Sequence, residues 1–140
     1  MKVLFASDGS ACSERAARYI GKTLKAHVND LQVTLLFVDE PMMPQVKRAL
    51  GKDEVARIQR ENAEFHLRAV RRRLLRAGVE FVEAIDDGDP ATCIAERTAG
   101  GHFELVLMGS HGRGALGNLL LGSVTAKVLA RSKVPVLAVP

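Results

Sequence analysis

The residues with the most evident chemistry stand near the end of the 140-residue chain: Gly109-Ser110-His111-Gly112, nine further residues, then Gly122-Ser123. The apolar run Leu105-Val106-Leu107-Met108 leads in as a strand, and Val124 to Arg131 leads out as a helix. Strand, glycine loop and serine-capped helix start together present bare backbone N–H groups to a phosphate chain. Glycine lets the backbone approach a ligand closely, and a helix N-terminus adds unpaired donors and partial positive charge. The chemistry on offer is nucleotide binding. The bland alternative is a glycine-rich surface turn in which Ser123 only caps a helix.

Charge favours the binding reading. No Asp or Glu follows Glu104, whereas Arg113, Lys127, Arg131 and Lys133 do, so the whole net charge of +4 resides in this last stretch. An acid-free, basic glycine loop suits a polyanion. Gly112-Arg113-Gly114-Ala115-Leu116-Gly117 also fits GxGxxG. A dinucleotide fingerprint belongs to the first strand–helix unit, however, and needs an acidic residue about 20 positions on. Here it would lie in the last unit with no acid after it, so NAD and FAD are disfavoured. No GxxxxGK[ST] occurs anywhere, which excludes a Walker A loop.

The elements that must position this loop alternate along the chain. Strands are expected at residues 3–6, 33–38, 79–85, 105–108 and 134–139. Helices are expected from about Ser13, from Asp53 to Ala77 with Gly78 beyond the end, from Asp89-Pro90 to about Ala99, and from Val124 to Arg131. Gly100-Gly101 would stop the third of these, and Asp39 to Pro44, with two prolines, reads as a break in regular structure. In the long helix Val55, Ile58, Phe65 and Ala69 are rotated from Ala63, Leu67, Val70 and Leu74. The first half of the helix is expected beneath the proline loop and the second half on the sheet. Glu80 and Glu83 mark the third strand as an edge.

Continuous apolar strands alternating with helices predict an α/β, doubly wound, five-stranded parallel sheet with helices on both faces, a Rossmann-like arrangement. Residues 1–140 are expected to be one domain. Ligands of such sheets bind beyond the strand C-termini where the strand order reverses, and Asp8, Val38 and Gly109 all sit at strand ends.

Other features exclude functions more than they suggest them. No apolar run approaches the ~20 residues of a membrane span, and Ser7-Asp8-Gly9 ends the first apolar run too early for a signal peptide, so the expected location is cytoplasmic. Cys12 and Cys93 have no CxxC or metal-ligand spacing and are read as small fillers. Arg68, Arg71, Arg72, Arg73 and Arg76 read as a solvated helix face rather than a nucleic-acid contact, and aromatic residues make up only 4% of the chain, too few for base stacking.

The spacing Gly-x2-Gly-x9-Gly-Ser, as Gly109, Gly112, Gly122 and Ser123, resembles the ATP-binding signature of the universal stress proteins. Val3-Leu4-Phe5-Ala6-Ser7-Asp8-Gly9-Ser10 is similar to that family's first strand and aspartate, Leu35 to Val38 to its second strand, and Gly88-Asp89-Pro90 to the turn before its third helix. The resemblance covers the whole chain and implies an adenine nucleotide alpha hydrolase-like fold holding ATP with magnesium. It implies that Asp8 faces the base or ribose, that the Val38 backbone meets adenine, and that Met108 and Gly109 border the ribose. Gly112, Gly122, Ser123 and Val124 would hold phosphates, mainly through N–H groups. His111 and Arg113 are added from their chemistry, a titratable donor and a mobile cation beside the loop. Phe37 departs from the family, which often has histidine there, and should alter packing more than nucleotide contact.

The family is usually dimeric through its last strand, and here Val134 to Val139 is apolar and terminal, so a homodimer through that edge is expected. The implied function is a nucleotide-dependent stress-response sensor with no catalytic residue assigned. Phosphoryl transfer needs carboxylates and a base, and the phosphate-side loop has no carboxylate of its own. A slow ATPase or autophosphorylating protein, with Ser123 or Ser110 as acceptor, and an interaction module with an empty cleft are the alternatives.

Overall fold

The first strand, β1 (Lys2–Ala6), is apolar on both sides because it separates two buried layers. Its residues point alternately to opposite faces. Val3 and Phe5 join Ala16, Ala17 and Ile20 and a row of Ala63, Leu67, Val70 and Leu74 on one side; Leu4 and Ala6 join Ala91, Ile94 and Val128 on the other. The computed structural model describes residues 1–100, 102–114 and 120–140.

Among the described residues β2 (Gln32–Asp39), β3 (Phe81–Asp87), β4 (Leu105–Gly109) and β5 (Val136–Val139) complete one sheet in the order β3-β2-β1-β4-β5. Every pairing is parallel. The helices are α1 (Ala11–Tyr19), continued through a wider turn at Ile20–Leu24 into α2 (Lys25–His27), then α3 (Pro44–Leu50), α4 (Lys52–Arg76), α5 (Pro90–Ala99) and α6 (Ser123–Arg131). Helices α1 and α4 cover the first face, α5 and α6 the second. The expected doubly wound fold is therefore present. Strand order reverses between β1 and β4, so the loops after Ala6 and Gly109 leave side by side.

Local differences from expectation have identifiable causes. Pro44 does not break structure; it is the first residue of α3, where its missing N–H would have had no partner. Ser10 caps α1, its hydroxyl accepting from Ser13 N at 3.2 Å, so the helix begins at Ala11 rather than Ser13. Gly51, not Asp53, precedes α4. Gly122 occupies the cap position of α6, and Ser123 is its first helical residue rather than its cap. Strand β3 begins two residues late because Val79 N–H closes the end of α4 on Leu74 O. It then runs on to Asp87, where Arg97 holds Asp86 and Lys47 holds Asp87. Strand β5 is shorter than expected because Ser132 takes both polar backbone groups of Val134. The GxGxxG run and the expected stop at Gly101 fall partly outside the described residues.

In α4 the sheet-facing set, Ala63, Leu67, Val70 and Leu74, is buried as expected. Phe65 is not packed beneath a loop; it is 71% exposed. Two substitutions separate these roles. Leu67→Ala should cost about 2–5 kcal/mol in urea unfolding. Phe65→Ser should change stability by less than about 1 kcal/mol, as for a surface site.

Candidate functional site

The site is built at the sheet's switch point, from three chain segments that meet on one carboxylate. Asp8, two residues beyond β1, accepts from Ser10 N–H and the Ser13 hydroxyl through Oδ1, each at 2.9 Å. Its Oδ2 accepts from Arg113 N–H, also at 2.9 Å. Burial pushes the Asp8 pKa up, but these hydrogen bonds outweigh it and hold the group below its ordinary value of 3.8. Asp8 is thus an anion near neutral pH, tying the loop after β1, the start of α1 and the glycine loop together.

The Asp8 carboxylate lies against the glycine loop, so close that a Cβ on Gly112 would meet Oδ2 at 2.8 Å. Glycine is required at Gly9 for a separate reason. Its φ is +78°, and a Cβ there would stand 2.0 Å from the carbonyl oxygen of His66 on α4. The loop after β1 is consequently clamped between α4 and the glycine loop.

The other expected residues fall around this knot. Met108 and Gly109 end β4, and Met108 pairs in register with Ala6. Val38 is near the end of β2, the strand on the other side of β1, half-buried. The Ser10 hydroxyl bonds His111 O at 3.3 Å, and Ser110 Oγ lies 2.9 Å from His111 Nδ1. Gly122 N–H donates to Ser110 O at 2.8 Å, so Gly122 is engaged in closing the loop and serves the site through its lack of a side chain. The first intrahelical bond of α6 runs from Ala126 N–H to Gly122 O. The N–H groups of Ser123, Val124 and Thr125 therefore have no acceptor among the described residues, and the first turn carries no acid. These donors and the adjoining glycines fit a phosphate group.

Several participants were not singled out from sequence. Buried Thr125 stitches α6 to β4, its hydroxyl donating to Gly109 O at 3.0 Å. Ser10 and Ser13 hold Asp8. His66 of α4 stacks on buried Phe37 with ring centroids 5.5 Å apart, and Arg113 Nη1 lies 2.7 Å from its Nδ1. Burial and then the Arg113 charge push the His66 pKa down. Phe37 supplies the surface on which His66 rests. Asn62 Nδ2 donates to Asp39 Oδ2 at 2.9 Å on the same side of the site.

Cys93 is buried, both cysteines are free, and burial followed by neighbouring acids pushes the Cys93 thiol up, away from thiolate reactivity. In the basic cluster, Arg71 and Arg73 are paired with Glu83 and Glu14. Among the described residues no group of three or more His, Cys, Asp or Glu side chains could hold a metal, and no helix is long and apolar enough to cross a membrane.

Fold and site together are those of a doubly wound α/β domain with a glycine loop at its switch point. The Universal stress protein family profile matches residues 1–140, and the chain belongs to that family. A universal stress protein of Thermus aquaticus is 34% identical over 98% of this chain and 96% of its own length. The solved structure of MJ0577, a universal stress protein of Methanocaldococcus jannaschii, superposes with a TM-score of 0.75 at 28% identity, covering 99% of this chain and 94% of that one. A universal stress protein solved in complex with cAMP has a TM-score of 0.70 at 24% identity, covering 100% and 97%. Two more distant members of the same fold were solved with AMP and dAMP.

The Asp8 knot has a pH signature. A carboxylate whose pKa is depressed on folding stabilises the fold above its unfolded value, and that contribution is lost as pH falls through the lower folded value. Asp8→Asn should cost about 1–3 kcal/mol near neutrality. The difference from wild type should shrink in urea titrations taken progressively below pH 3.8, the ordinary carboxyl value.

Proposed function

We propose that the chain binds ATP with magnesium at the β1–β4 switch point and works as a cytoplasmic, nucleotide-dependent stress-response sensor. The observation that carries this reading is the trio of N–H groups at the start of α6 that have no acceptor among the described residues, beside glycines where a side chain would intrude. On this reading Ser123, Val124 and Thr125 N–H, the Ser123 hydroxyl and the Gly112 backbone hold phosphates. Met108, Gly109 and the Val38 backbone border ribose and adenine, and His111 and Arg113 flank the phosphates. The solved relatives with cAMP, AMP and dAMP support an adenine nucleotide as the ligand class.

Binding is favoured over fast catalysis. Phosphoryl transfer asks for a metal held by carboxylates and a positioned base. Asp8 lies close to the glycine loop, which favours the slow-ATPase alternative more than its sequence position did. Its oxygens are already committed to Ser10, Ser13 and Arg113, though. Turnover above roughly 1 per second would move the protein into the ordinary enzyme range.

We also propose a homodimer through β5, which is a sheet edge. A dimer formed there gives its unpaired backbone groups partners and repeats the contact on both copies. Light scattering at micromolar concentration should give twice the chain mass; a monomer would remove this proposal.

Gly122→Val tests the site. A Cβ at Gly122 stands 3.2 Å from His111 Cα and 3.3 Å from Ser110 O, so valine presses on the loop as well as on the ligand path. Calorimetric titration should show MgATP affinity lowered at least about 100-fold, roughly 2.7 kcal/mol, with the circular dichroism spectrum retained. Wild-type affinity in this variant would remove the site assignment.

A further inference from the structure

Helix α4 has a second organised face that neither the core nor the nucleotide site uses. Opposite the buried row Ala63, Leu67, Val70 and Leu74, its outward positions recur at alternating four- and three-residue steps as Glu54, Ile58, Glu61, Phe65, Arg68, Arg72 and Leu75. That is the spacing of a helix–helix seam. Phe65 and Leu75 on this face are 71% and 66% exposed.

Charge along the face is antisymmetric about Phe65. Glu54 and Glu61 lie in the first half; Arg68, Arg72 and Arg76 lie in the second. Arg68, Arg72 and Arg76 join no ion pair among the described residues. With Leu75 they line a shallow groove of about 380 Å³. Glu54 and Glu61 share Arg57 in exposed pairs, which contribute little and can be exchanged for others.

We propose that this face is an interface between two copies of the chain, with their α4 helices packed antiparallel around a two-fold axis at Phe65. In that register Phe65 meets Phe65 of the second copy. Glu61 lies beside the second copy's Arg68, Glu54 lies beside its Arg76, and Ile58 packs on the stem of its Arg72. Each contact occurs twice, as a two-fold interface requires. Parallel pairing would instead stack arginine on arginine and glutamate on glutamate. The seam from Glu54 to Arg76 is about 33 Å long at 1.5 Å per residue. It lies on the β2–β3 side of the sheet, away from β5, so it is independent of a β5 dimer.

A charge swap followed by sedimentation velocity tests the pairing on the full-length chain. The two variants are Arg68→Glu/Arg72→Glu/Arg76→Glu, which makes the whole face acidic, and Glu54→Arg/Glu61→Arg, which makes it basic. At low salt, from micromolar to near-millimolar concentration, wild type should reach roughly twice the weight-average mass of either variant. An equimolar mixture of the variants should recover the wild-type mass, because acidic and basic faces then meet. Thermal melts of both variants should match wild type, since every altered side chain lies on the outward face of α4. A wild-type mass in either variant alone, or a mixture that stays at the lower mass, would overturn the proposal; an arginine stripe serving some other anion gives that second result.

Discussion

The Asp8 carboxylate is the interaction on which the local architecture depends. Parallel strands β1 and β4 deliver two loops to the same point, and loops carry polar backbone groups that packing alone leaves without partners. One anion answers this for both. It accepts from Ser10 and Ser13 at the head of α1 and from Arg113 N–H in the glycine loop. Because a charged acceptor makes hydrogen bonds about twice as strong as neutral ones, the meeting point is firm despite its partial exposure. The small residues around it follow from that closeness. Gly112 leaves room for Oδ2, and Gly109 for Cys12, whose Cβ would otherwise lie 2.7 Å from a Cβ at Gly109.

The arrangement at the head of α6 is complementary to this anion. Gly122 N–H is engaged by Ser110 O, and the Thr125 hydroxyl by Gly109 O, so α6 is fixed at its first turn to the strand before it. Among the described residues the N–H groups of Ser123, Val124 and Thr125 at the helix end are left without acceptors. The Asp8 carboxylate is held by its own donors. A phosphate on α6 therefore meets donors that need little reorganisation, and preorganisation of this kind favours affinity.

Much of the fold was legible because its signals are local. Apolar runs such as Leu105 to Met108, the Asp89-Pro90 helix start and the Gly78 stop each depend on a few adjacent residues, and the parallel sheet follows from their alternation. Elements were misread where one residue type serves two purposes: Pro44 can break structure or begin a helix, and here it begins α3. Phe65 was expected indoors because hydrophobicity suggests burial, but on a 25-residue helix only one stripe meets the sheet. The glycine spacing was readable, whereas its supports were not. Asp8 and Arg113 are 105 residues apart, and His66 and Arg113 are 47 apart. No local pattern signals such pairings, and serine at positions 10 and 13 is too common to suggest that it holds a carboxylate.

The most direct measurement is the melting temperature of nucleotide-free protein with and without saturating MgATP, set against MgGTP. At about 100-fold over its Kd a ligand adds roughly 2.7 kcal/mol, which is several degrees for a domain of this size. An ATP site at the β1–β4 switch point requires that rise with MgATP and little or none with MgGTP. Equal melting temperatures in all three samples would contradict it, leaving the glycine loop as a well-tied turn.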